Sequence, residues 1–201
     1  MAGLLARKLE MTRIVKGDKF IPVTLLEIPE MRVVWFKTIE KDGYEALIVG
    51  MLAKKADWKL KEWNTTLSKN EFTNISEFEL NEGELEKFNV WDIVDINTLE
   101  GVEKVTLVGF SKWKWFTWAM KKHNFHGWPA WHGSKFHRAL GSIGNRKPTR
   151  THKGKKMHGH HGNIKVNLKK IPVELVNKDI NIIGVRWGVP GWRNSIVSII
   201  F

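Results

Sequence analysis

The chain of 201 residues contains no cysteine. That absence excludes a disulfide scaffold, a thiolate zinc site, an iron–sulfur cluster and a cysteine nucleophile, and it suits a reducing compartment. Long apolar runs are missing as well. None approaches the ~18 residues of a membrane span, and the apolar stretch in Met1-Ala-Gly-Leu-Leu-Ala-Arg-Lys8 is too short for a secretory signal. The expectation is a soluble, cytoplasmic protein without a membrane partner. Glutamine is absent, tyrosine occurs once, and Asp and Glu are absent from one continuous stretch, residues 111–170. With 42% hydrophobic residues the chain can still bury one good core or two small ones, against a prior of about 150 residues per domain.

The carboxylate-free stretch is where the positive charge sits. Of the 33 Lys and Arg, 15 lie in 111–170 together with all eight His, whereas the other 18 share the remainder with all 21 Asp and Glu. The net charge of +12 therefore comes from one intensely basic segment on a slightly acidic body. Solvated faces ordinarily mix signs. A stretch this long without a carboxylate cannot neutralise itself, so a polyanionic partner is expected to do so through its phosphates.

Secondary-structure signals divide the chain in the same way. Ile21–Ile28, Arg32–Lys37, Glu45–Gly50, Ile93–Ile96, Val102–Gly109, Ile171–Val176, Ile180–Arg186 and Ser195–Phe201 are short apolar or alternating runs separated by Gly, Pro, Asn and Asp. Such spacing predicts a mainly β protein, an antiparallel barrel or sandwich. Residues 51–80 are more polar and helix-like, and are expected to form a small α-containing insertion. From Phe125 to Gly162 glycines recur with no sustained period, so this part is expected to be largely irregular and to order against a partner. The strands after Lys170 complete the domain begun before Gly109. The expected organisation is a β-domain over 1–110 and 165–201 and a basic extension over 111–164.

Several motifs in the extension bear on an enzymatic reading. Met157-His-Gly-His-His-Gly162 clusters three imidazoles, but no carboxylate is near and Lys153, Lys155 and Lys156 repel a metal ion. Gly141-Ser-Ile-Gly144 lacks the spacing of a nucleotide-binding loop, although its glycines allow backbone N–H groups to approach phosphates. Every His lies where no carboxylate is local, which leaves a general base without an orienting acid. Neither a metal, a cofactor nor a small-molecule substrate is expected, and the chain does not read as an enzyme. Alternating Lys112-Trp113-Lys114-Trp115 with Trp118 supports two other readings, a free single-strand-binding module using stacked aromatics and a membrane-surface segment.

Gly3-Leu-Leu-Ala-Arg-Lys-Leu-Glu-Met-Thr12, Ile21-Pro-Val-Thr24, Lys41-Asp-Gly-Tyr44, Ser111-Lys112 with Lys114 and Phe116, His132-Gly-Ser-Lys-Phe-His-Arg138, Gly141-Ser-Ile-Gly144, Lys153-Gly-Lys-Lys-Met157 with Gly159 and Gly162, and Val189-Pro-Gly191 follow one another along nearly the whole chain. In that order they resemble the bacterial form of the universal large-subunit ribosomal protein L three; Ala6 and Glu10 depart from it, standing where the family usually has Gly. The resemblance implies a closed antiparallel β-barrel of translation-protein type. It also implies a non-catalytic constituent of the large subunit that binds its RNA early in assembly, with the extension reaching toward the peptidyl transferase centre and with the proteins called L fourteen and L nineteen as neighbours. The RNA-binding positions it implies are Ser111, Lys112, Lys114, Lys121, Lys122, His132, Lys135, His137, Arg138, Arg150, Lys153, Lys155 and Lys156. Some relatives methylate a Gln after the Gly-Ser-Ile-Gly motif; here Asn145-Arg-Lys-Pro148 follows, so no such modification is expected.

Tryptophan is over-represented, with 11 of the 22 aromatic residues. Many copies stand where the resembled family has glycine. Read as glycine, Asp57-Trp58, Trp63-Asn64, Trp91-Asp92 and Trp187-Gly188 become ordinary turn dipeptides. Two readings follow: authentic tryptophans in the core or in stacking, or UGA codons that the source cell reads as glycine. The second predicts exposed or strained indoles, above all in 111–131.

Overall fold

The strands of this chain are separated by turns rich in Gly, Asn and Asp, and β-strands such as residues 104–110 and 196–200 alternate buried with more exposed side chains. In the computed structural model, which describes residues 3–52, 72–81, 83–85 and 88–201, they are β1 (Gly3–Lys16), β2 (Lys19–Glu27), β3 (Met31–Lys37), β4 (Ala46–Leu52), β5 (Phe72–Glu79), β6 (Ile93–Val94), β7 (Lys104–Phe110), β8 (Phe116–Thr117), β9 (Gly159–His160), β10 (Lys165–Asn177), β11 (Ile182–Arg186) and β12 (Ile196–Ile200). The helical elements that stand complete among the described residues are α1 (Ile39–Asp42), α2 (Ala119–His123) and a 3-10 turn at Ile96–Leu99. The protein is mainly β.

Six strands pair in the order β1-β12-β7-β10-β11-β2, and β2 pairs again with β1, so the ladder forms a closed barrel without a free edge. Two long strands make this possible. The first half of β1 pairs with β12 and its second half with β2, across a bulge between Lys8 and Met11. Likewise β10 pairs with β7 up to Pro172 and with β11 from Val173 onward. Bulges bend a strand and raise its twist, which lets one strand serve two partners around a corner.

A second sheet, ordered β5-β4-β3-β6, belongs to the same unit. Period-two patterns point one face of β7 and β12 inward, with Val105 and Leu107 from β7 and Val197 and Ile199 from β12 buried, and Val33 from β3 and Val49 from β4 are buried as well. One apolar cluster joins Leu4, Leu5, Leu26, Ile183 and Val185 of the barrel to Met31, Leu47, Met51 and Phe78 of the second sheet. Ile183, Gly184 and Val185 are buried in succession, which marks β11 as covered on both faces. Turn chemistry closes the remaining ends: Gly43 caps α1 with a left-handed φ of 81°, and the Asp95 carboxylate accepts from the Asn97 N–H at 3.0 Å at the start of the 3-10 turn.

One expectation is corrected. Residues 72–79, read as part of a helix-like insertion, form β5 and pair along the length of β4. Phe72 and Phe78 share one face and are buried, while Ile75 faces outward, so the burial follows the parity of a strand. The rest of the expected insertion, residues 53–71, lies outside the described residues. Strands β1, β8 and β9 and the first half of β10 are additions to the predicted set. By internal packing the chain divides into two units, Met1–Phe110 with Lys165–Phe201, and Ser111–Ile164.

Candidate nucleic-acid interface

Residues 111–164 have almost no apolar interior; only Thr117, Ala119 and Gly162 are buried in this unit. Backbone pairing holds it instead. The Ser111 N–H donates to the Ile164 carbonyl at 2.9 Å and the Asn163 N–H returns to Ser111 at 3.2 Å; farther along, Lys114 N–H reaches His161 and His161 N–H reaches Trp115, each at 2.9 Å. Next, β8 and β9 pair Phe116 with His160 and Thr117 with Gly159. Gly162 is required in this zipper: its φ is 85°, and a Cβ there would run into the Lys112 carbonyl.

Histidines complete the scaffold. The Thr117 hydroxyl lies 3.1 Å from His161 Nδ1, His123 Nε2 lies 3.0 Å from the Met157 carbonyl, and His160 Nε2 lies 2.9 Å from the Gly162 carbonyl. Burial first, then the positive charges of Lys114, Lys122, Lys121 and His123, hold the His161 imidazole below its ordinary pKa. A neutral ring at that place can share one hydrogen bond with the Thr117 hydroxyl. The three imidazoles of residues 157–162 are thus engaged locally or exposed, and among the described residues no group of three or more His, Asp or Glu is arranged to hold a metal ion.

The expected RNA-binding residues fall into three groups along the unit. Ser111, Lys112, Lys114, Lys121 and Lys122 flank the β8–β9 ladder and α2, and Lys121, Lys122 and His123 occupy the last turn of that helix, where cations suit its carbonyl end. His132, Lys135, His137 and Arg138 sit on a loop pinned by Trp128 N–H to the Phe136 carbonyl at 3.4 Å and by His137 Nδ1 near the Trp128 carbonyl at 3.4 Å. Arg150, Lys153, Lys155 and Lys156 lie on a third loop. Ser111 and Lys122 are half-buried and the other eleven are exposed. No carboxylate exists within the unit to neutralise them.

Sequence reasoning did not anticipate the hydrogen-bonded scaffold of this unit. Thr117, His123 and His161 position the first group, and their only advance signal was the confinement of every His to the carboxylate-free stretch. Aromatic rings crowd the same surface: Trp113 and Trp115 have centroids 4.9 Å apart, and His158 lies 5.4 Å from Phe116 and 5.7 Å from Trp118.

Comparison with known proteins gives a consistent result. The chain is 37% identical over 201 residues to the large ribosomal subunit protein uL3 of Thermosipho melanesiensis, covering 99% of this chain and 97% of that one. It is 36% identical over 203 residues to uL3 of Petrotoga mobilis, covering 99% and 94%, and 34% identical over 201 residues to uL3 of Borrelia hermsii, covering 99% and 96%. No family model matches the chain.

Proposed function

The chain belongs to the family of the large ribosomal subunit protein uL3, and on that premise we propose that it is a structural, non-enzymatic constituent of the large ribosomal subunit in the cytoplasm that binds large-subunit ribosomal RNA. One observation carries the reading: an exposed basic unit with no carboxylate of its own and almost no apolar interior. Its cations lower the repulsion between packed RNA helices, and its backbone zipper fixes where they stand. The thirteen residues from Ser111 to Lys156 named above are the proposed contacts. The barrel is proposed to be of translation-protein type and to pack against the neighbours called L fourteen and L nineteen. The extension is proposed to join early in assembly and to reach toward the peptidyl transferase centre.

Affinity for the cognate RNA domain, measured by filter binding across a salt series, is expected to fall with a log–log slope of about −0.7 to −0.9 per phosphate neutralised. A salt-independent affinity would refute the charge argument. The Trp113–Trp115 pair supports a second reading, a single-strand-binding module. That reading requires excess generic single strands to compete the cognate RNA away; the ribosomal reading requires that they do not.

A further inference from the structure

The tryptophans behave as a class. All nine in the described residues are exposed, from 49% at Trp91 to 87% at Trp131, although indole is the side chain with the most apolar area to hide. Among the described residues eight non-glycine residues have positive φ: four Asn, one Lys and three Trp, namely Trp91 at 76°, Trp115 at 57° and Trp187 at 71°. Asn tolerates that region through its short polar side chain, whereas a bulky residue there is an outlier. Among the described residues no Phe or Tyr has a positive φ.

Hydrogen bonds to residues distant along the chain hold these three backbones. Trp91 N–H donates to Val33 at 2.8 Å while Val33 N–H donates to Asp92 at 3.0 Å; Trp187 N–H donates to Pro22 at 3.0 Å, and Trp115 accepts from His161. The Trp187 carbonyl is also the acceptor for the buried Thr24 hydroxyl, at 2.6 Å. Two further tryptophans occupy other places that suit glycine. Trp35 stands at the bulge of β3 against β4. Trp118 is the N-cap of α2 and supplies no side-chain hydrogen bond there.

We infer that the tryptophans of this sequence are glycines in the natural protein, specified by UGA codons that the source cell reads as glycine, and that the surface of residues 113–118 and 128–131 is consequently a bare-backbone surface for close approach of RNA phosphates and riboses. Five of the nine described tryptophans, Trp113, Trp115, Trp118, Trp128 and Trp131, lie in the basic unit, beside Lys112, Lys114, Lys121 and Lys122. Glycine at each lets a polynucleotide backbone come within reach of main-chain N–H groups while the lysines supply counter-charge. This second half rests on the RNA-binding reading; the residue identities do not.

Peptide mass spectrometry of the protein purified from its source cells decides the identities. Glycine residue masses at 91, 115 and 187, with UGA in the gene, are expected; tryptophan masses or UGG codons there overturn the inference and leave the aromatic rings as a stacking platform. Independently, Trp91→Gly, Trp115→Gly and Trp187→Gly are each expected to raise the unfolding midpoint by about 2–4 °C over the corresponding Ala variant. Equal midpoints for Gly and Ala overturn the claim of imposed left-handed backbone. For the surface, the chain with glycine at all eleven positions is expected to bind the cognate RNA domain about tenfold or more tighter than the tryptophan chain, the worth of one charge-assisted hydrogen bond. Glycine masses together with equal affinities would overturn the close-approach role alone.

Discussion

Glu174 is a carboxylate whose side chain is only 3% exposed, and it is kept ionised by two cations from other strands. Lys16 Nζ approaches one oxygen at 3.1 Å and Arg186 Nε the other at 2.7 Å. The Lys16 hydrogen bond, then that of Arg186, hold its pKa below the ordinary carboxylate value against the opposing effect of burial. Removing the charge takes the counter-charge from the partly buried Arg186 guanidinium, while the exposed Lys16 stays solvated, so Glu174→Gln is expected to cost about 1–2 kcal/mol, read as a lowered urea midpoint with an unchanged slope. Glu77 is depressed in the same direction by Tyr44, at 2.6 Å, and then by Lys37. A carboxylate whose folded pKa lies below its unfolded value contributes stability that is present above about pH 4.5 and lost as pH falls through the folded value. Unfolding free energy is therefore expected to drop between pH 4.5 and more acid conditions, and less steeply in Glu174→Gln. His161 works with the same sign in the basic unit. Its lowered pKa means that protonation opposes order there as pH falls below about 6.5, which proton NMR of the Thr117 and His161 environment would register.

Among the elements, those bounded by clear turns were legible in the sequence. Strands β2, β3, β4, β7, β11 and β12 follow from alternating or apolar runs: one buried face gives the alternation of β7 and β12, and cover on both faces gives the continuous apolar run of β11. β1 was not, since its outer half from Lys8 to Lys16 is mostly polar and half-buried or exposed and gains its place only by pairing with β2. β5 was misread for a related reason: with Phe72 and Phe78 as its only buried residues, local composition is a weak guide, and the neighbouring strand decides. The elements also differ in what they support. Leu107 of β7 is fully buried where β7 pairs with β10 and β12. Leu107→Ala is expected to cost about 2–5 kcal/mol, seen as a lower midpoint in thermal or urea unfolding.

At the scale of the molecule, charge and hydrophobicity are segregated along the chain. The first unit holds the apolar cluster and every Asp and Glu; the second holds every His and only three buried residues. Changing Lys153, Lys155 and Lys156 together to Ala is expected to leave the unfolding midpoint of the protein unchanged within error. The same change is expected to reduce the salt slope of RNA binding and to slow incorporation into large subunits, followed by sedimentation. A lowered midpoint with normal incorporation would contradict the division of labour between the two units. The cations needed no structure to be found, because missing carboxylates are visible in a string of letters. Their grouping did, because the zipper that brings 111–117 against 159–164 joins residues more than forty positions apart.

The sequence by itself determined the mainly β character, the location of the positive charge, the family resemblance and the oddity of the tryptophans. These are properties of composition and order, which local physics reads directly. Only the tertiary structure decided that the strands form a closed barrel beside a second sheet, that β5 is a strand, and that backbone pairing forces Trp91, Trp115 and Trp187 into left-handed conformations. Each of those outcomes is set by partners distant along the chain, and their hydrogen bonds outweigh the local preferences of the residues they constrain.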